Sequence, residues 1–244
     1  MEPSPTTVDP LAALASLEGV PSAFAAARDG IDVLLRDRGL RRTTPETTGE
    51  SLLRGAHASA VLEGSTSTLD ELRAGSGDEV GQAAVRVSTE LLSLVPTVGR
   101  SPAQALARIH ALAAAGSVAD EQLGRPRDAE AAARLRGVAD LLVAESSVPA
   151  LLVAAVVHAD LVAAAPFASH NGLVARAAER LVLVSRGVDG KSLVVPEAGH
   201  LALRPAYESN LRGYRDGGRA GVHGWLLYAA EAYTAAAQAS PLNG

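Results

Sequence analysis

The sequence predicts an all-α bundle, and three observations carry that prediction. Of the 244 residues, 48% are hydrophobic but only 3% are aromatic, so the core must be built from Ala, Val and Leu. Alanine is the strongest helix former. Apolar residues recur at three- and four-residue spacing along most of the chain, and proline or glycine punctuates these runs at helix-like intervals.

Taken in order, residues 1–8 are rich in Pro, Ser and Thr and read as a mobile tail. From Asp9 to about Arg38, the positions Leu11, Leu14, Leu17, Phe24, Ala27, Ile31, Leu34 and Leu35 keep helical spacing, and Gly19-Val20-Pro21 divides them into two helices. The polar run 41–49, with Pro45 and Gly49, predicts a loop. Ser51–Leu62 predicts the next helix, residues 64–68 break it, and Thr68 is placed to cap a short helix over Leu69–Arg73. After a Gly/Ser loop at 74–78 comes a helix over 79–95, ended by Pro96 and Gly99. Ser101-Pro102, a cap followed by proline in the first turn, starts another that runs to Ala115. Residues 117–127 are the least helical part of the centre. Helices then span 129–146 and 148–164.

The second of these lies in the most apolar window of the chain, yet it carries His158 and Asp160. Charge there would be costly in lipid, so the window predicts a buried core helix and not a membrane span. Its end is set by Pro166, which has no N–H to donate and clashes with the preceding turn. Asn171-Gly172 signals a turn, with Asn171 as the cap of a helix running to Arg186, where Gly187 stops it. Residues 187–203 read as extended or irregular. Helices over 206–214 and 224–237 close the bundle, with Tyr207, Tyr214, Trp225, Tyr228 and Tyr233 as an aromatic core cluster.

Composition narrows the function classes. A net charge of −5 lacks the basic footprint of a general nucleic-acid binder. The absence of cysteine excludes disulfides, Cys-based zinc sites and cysteine catalysis. Residues 1–9 lack the charged and apolar regions of a signal peptide, so the expected location is cytoplasmic, with no membrane partner. Gly187-Val-Asp-Gly190-Lys191-Ser192 has two residues between its glycines where a phosphate-binding P-loop needs four. The six histidines show no helical pairing of metalloprotease type, and no metal site is expected. His158 reads as a core histidine with a backbone partner, and His110 as packed or solvated.

The stretch Ala165-Pro-Phe-Ala-Ser-His-Asn-Gly-Leu-Val-Ala-Arg176 therefore lies at a corner between two apolar helices. Backbone N–H groups at such a helix start favour an anion. The dodecamer resembles the active-site motif of the Fic (Fido) family, His-Pro-Phe-x-Asp/Glu-Gly-Asn-Gly-Arg-x-x-Arg. Pro166, Phe167, Asn171, Gly172 and Arg176 match. Ala165 stands where the family has its catalytic base, Ser169 at the metal-binding acid, His170 at a glycine and Leu173 at the first phosphate-binding arginine. A second stretch, Ser59-Ala-Val-Leu-Glu63-Gly64, resembles the family's inhibitory-helix signature. There the glutamate pairs with the last arginine of the motif and blocks the γ-phosphate position of ATP.

The resemblance implies a Fic-like helical bundle over 51–240 behind an N-terminal helical extension at 1–50, with the inhibitory helix near 51–64. It also implies a short β-hairpin flap near 117–127 that would align a target peptide. It makes Asn171, Gly172 and Arg176 the nucleotide- or phosphate-binding residues and Ser59 and Glu63 the inhibitory ones. The expected ligand is ATP with magnesium, and the expected partners are a nucleotide and a protein target. Ala165 cannot take a proton, Ser169 is a poor magnesium ligand and Leu173 carries no charge. Losing a base and a charge-stabilising donor each removes about 10²-fold or more in rate. The sequence thus predicts an auto-inhibited pseudoenzyme that binds or regulates, with His170 the one substitute candidate for a base. The alternative is a divergent enzyme that transfers or removes AMP, or another phosphate-containing group, on protein hydroxyls.

Overall fold

The computed structural model describes residues 9, 11–36 and 43–243. The expectations for residues 1–8 and for the run 37–42 lie outside these residues. Among the described residues the chain is helical throughout, with no strand.

Leu11, Ala12–Ala15 (α1) and Val20–Leu34 (α2) follow the predicted division at Gly19, which takes a left-handed conformation before Pro21. The next helix starts earlier than its apolar pattern indicates. Pro45–Leu62 (α3) opens on Thr44, whose side chain accepts from the Thr47 amide in a capping box, with proline in the first turn. Pro45 therefore begins a helix where the sequence predicted a loop. Residue 50, the predicted domain boundary, falls inside α3. Thr68 caps Leu69–Arg73 (α4) as predicted, and its partner in the box is Glu71. Asp78 caps Glu79–Leu91 (α5), which continues through a 3₁₀ turn into Val95–Val98 (α6), with Pro96 tolerated in its first turn. Pro102–Ala114 (α7) follows.

Residues 117–127 form turns and one 3₁₀ turn at Asp120–Gln122, and the predicted β-hairpin flap is absent among the described residues. Pro126 has no N–H for a ladder, and Gly124 is left-handed, so the segment does not stay extended. It docks instead through Arg127, whose amide donates to the Pro166 carbonyl and whose guanidinium donates to the Ala165 carbonyl.

Ala129–Val143 (α8), Ala150–Ala164 (α9) and Asn171–Ser185 (α10) form the centre. α9 is buried on every side from Leu151 to Ala159, because its Ala and Val side chains let neighbours close in all round. Residues 187–203 were predicted irregular, but Pro196–Ala202 (α11) is a helix. Pro196 starts it, and Gly199 lets it lie directly on the backbone of the last helix, where a Cβ would overlap the Ala232 carbonyl. Arg204–Asp216 (α12) and Gly218–Gln238 (α13) complete the bundle. α13 packs on α2, α11 and α12, and one continuous apolar core runs from Leu11 to Leu242. Among the described residues, no helix is long and apolar enough to cross a membrane.

Candidate functional site

The corner between α9 and α10 is a strained loop. Ala165 ends α9 in the left-handed region at φ 40°, and His170 takes φ 56° immediately before α10. Such angles are uncommon outside glycine, although histidine tolerates them better than most side chains. His170, and not Asn171, is the capping position. Asn171 is already helical and turns its side chain back on the loop: Oδ1 accepts from the Phe167 amide and Nδ2 donates to the Phe167 carbonyl, both at 3.0 Å. Asn171 thus braces the turn rather than capping the helix. Phe167 is buried and stacks on His110, ring centroids 4.2 Å apart. His110 is packed, as one of the two sequence readings had it. Its Nδ1 accepts from the Gly124 amide, and burial, with His170 nearby, lowers its pKa to about 4.

The start of α10 is occupied by Glu63. This residue ends α3, and its Oε1 accepts from Arg176 Nη2 at 2.6 Å. The same oxygen lies so close over Gly172 that a Cβ there would overlap it. Only glycine leaves room for a carboxylate at this spot. Arg176 is 2% exposed and fully engaged: Nε donates to Ser59 Oγ at 2.7 Å, Nη2 also to the Ser59 carbonyl, and Nη1 to Tyr207 Oη at 3.1 Å. Burial alone would lower its pKa, but Tyr207 and Glu63 reverse this and raise it. Glu63 remains 31% exposed, so the pair is sealed on the arginine side and open on the glutamate side. The fold therefore brings Ser59, Glu63, Gly172 and Arg176 together. Leu173 is buried in the core, and Ala165 offers no polar side-chain atom. Ser169 and His170 face each other, Oγ to Nδ1 at 2.7 Å, and burial lowers the His170 pKa.

Several solved structures of Fic proteins superpose on the chain. A Fic family protein from Desulfovibrio desulfuricans superposes with a TM-score of 0.74 at 17% identity, covering 91% of this chain and 74% of its own. Fic-1 from C. elegans gives 0.69 at 17% identity, over 90% of this chain and 71% of its own. A Fic domain containing signaling protein from Bacteroides thetaiotaomicron gives 0.60 at 12%, over 88% and 95%. No protein-family model and no curated protein matches the sequence. The chain has the Fic fold.

In this Fic fold the loop that resembles the family motif occupies the corner between α9 and α10, and the stretch that resembles the inhibitory signature is the end of α3 facing it. Sequence reasoning missed what lies behind them. His158 has no backbone partner, contrary to expectation; its ring is held by Glu179 and Tyr207. Glu179, wholly buried, receives His158 Nδ1 at 2.8 Å, His200 Nε2 at 3.0 Å and Tyr233 Oη at 2.8 Å. His200 Nδ1 meets Tyr228 Oη at 2.8 Å. Burial would raise the Glu179 pKa, but His200 and His158 hold it well below the usual range. Burial pushes His158 down to about 4, against the pull of Glu179. One turn beyond Arg176, Arg180 pairs with Glu197 of α11, Nη2 to Oε2 at 2.7 Å, and donates to Ser192 Oγ at 3.0 Å. The available signal was the run Arg176-Ala-Ala-Glu179-Arg180 inside an apolar helix, since charges on a buried face need partners.

Proposed function

We propose that this protein is a catalytically degenerate Fic-fold module with an anion pocket at the start of α10, taking the phosphates of a nucleotide such as ATP with magnesium and closed by its own Glu63. One observation carries the reading. A carboxylate sits against Arg176 and over Gly172 at the start of α10, and it is the exposed half of the pair. A helix start with a buried arginine suits an oxyanion, and Glu63 supplies one from within the chain. The groups that would turn binding into AMP transfer are missing. Ala165 has no base, Ser169 no carboxylate for magnesium, and Leu173 no charge to meet a developing phosphoryl oxyanion. The output is then a binding or regulatory one, directed at a protein target, in a cytoplasmic setting.

The test is incubation of Glu63→Gly with ATP labelled at the α-phosphate, magnesium and a lysate. Label held reversibly by the folded protein, with none transferred covalently, is the expected result. Covalent label on any protein contradicts the degenerate reading. A second reading, a divergent enzyme moving or removing AMP or another phosphate-containing group, draws on the Ser169–His170 hydrogen bond. His170 with its lowered pKa is a neutral base within reach of a hydroxyl. His170→Asn would then abolish the covalent label.

A further inference from the structure

Every proton in the network behind Arg176 can be placed. An arginine only donates, so Tyr207 Oη accepts from Arg176 Nη1, and its own single proton goes to His158 Nε2. His158 is then protonated at Nδ1, and that N–H points at Glu179 Oε2. Glu179 also receives the Tyr233 hydroxyl and His200 Nε2–H, which leaves His200 Nδ1 to accept from Tyr228. Each ring nitrogen of His158 and His200 and each of the three tyrosine hydroxyls has a partner in this set. The dipoles of Tyr207 and His158 run head to tail, negative end toward Arg176 and positive end toward Glu179. Such chains polarise one another when buried.

His158, Glu179 and His200 place their ligand atoms within 4.8 Å of one another, a donor set that zinc accepts. Metal on His158 Nδ1 would move the ring proton to Nε2. Tyr207 would then face two donors, Arg176 and His158, and its own hydroxyl proton would have no acceptor. The proton count favours the hydrogen-bonded network over the metal.

We propose that Glu179 is a positioning residue, the buried counter-charge that holds Arg176 aimed at the start of α10 through Tyr207 and His158. The inference rests on the anion-pocket reading. When Glu63 yields its place to a phosphate, Arg176 keeps a charge-balanced mount on its opposite side, and the pocket stays formed. Three helices contribute: α9 through His158, α10 through Arg176 and Glu179, and α12 through Tyr207.

The experiment compares ATP with magnesium binding to Glu63→Gly and to Glu63→Gly/Tyr207→Phe, alongside ¹⁵N NMR of the histidine rings in the wild type. Tyr207→Phe removes one oxygen and keeps the ring in the core. The expected results are about tenfold weaker binding in the double variant, which stays folded with a lowered melting temperature, in line with loss of a buried hydrogen bond to a charged group, and His158 as the Nδ1–H tautomer. Equal affinity in the two variants overturns the proposal. So does an Nε2–H tautomer of His158, or stoichiometric metal in the purified protein. If Glu63→Gly binds no nucleotide, the pocket reading fails by itself. The tautomer and the metal content then decide the mount alone, Nδ1–H upholding it and either other result overturning it.

Discussion

Arg176 and Arg180 stand one turn apart on α10, both buried, each paired with a carboxylate from another helix. Their partners differ. Glu197, which holds Arg180, is 6% exposed and grips it with both oxygens, while Glu63, which holds Arg176, is 31% exposed and uses one. Arg180 also reaches Ser51 and Ser192 and so pins α3, α10 and the turn before α11 together. Arg176 instead leads inward to Tyr207, His158 and Glu179. The same chemical pair is thus sealed on both sides at Arg180 and open to solvent on the carboxylate side at Arg176, the difference on which the proposed release of Glu63 rests.

The comparison breaks most visibly at the Arg180 pair. Glu197→Ala leaves the Arg180 charge buried without its carboxylate, and such losses cost about 3–5 kcal/mol. Urea unfolding of the variant measures it, and a loss near zero would put the two pairs on one footing.

Next in size is acid. His158 is held neutral with a folded pKa of about 4 against an ordinary value of 6.5, so below 6.5 the unfolded chain binds a proton that the folded one refuses. Stability is therefore full above 6.5 and falls as pH drops toward 4, by up to about 3 kcal/mol for this ring. His110, with the same direction and a folded value near 4, adds to the fall. Glu179, depressed in the fold, adds its own loss below the ordinary Glu value of 4.5. A urea midpoint that is flat across this range would contradict the neutral ring.

Removing Glu63 costs less. Glu63→Gly takes a partly exposed carboxylate from an arginine that keeps its bonds to Ser59 and Tyr207, and should lower stability by less than Glu197→Ala does in the same urea series. Arg134→Ala, which deletes the exposed pair with Glu130, sets the baseline at within about 0.5 kcal/mol.

Much of this architecture was legible in the sequence. Helical spacing and proline-glycine punctuation placed the central helices, and the resemblance of the stretches around Glu63 and Arg176 to the family's two motifs implied that these two side chains meet, as they do. Three features were not legible. Pro45 was read as part of a loop and Pro196 lay in a run read as extended or irregular, yet each sits in the first turn of a helix, where a missing N–H does no harm. Asn171 was read as a cap, but the cap position fell one residue earlier because the loop's left-handed turn ends at His170. The Glu179 network joins residues separated by 21 to 54 positions along the chain, and no local periodicity encodes such a meeting.

The central claim is that Glu63 closes an anion pocket on Arg176. Calorimetric titration of ATP with magnesium into the wild type and into Glu63→Gly tests it most directly. The account predicts tighter binding in the variant, since the competing carboxylate is gone while Arg176 stays in place. No heat in either protein, with the variant still folded, would contradict it.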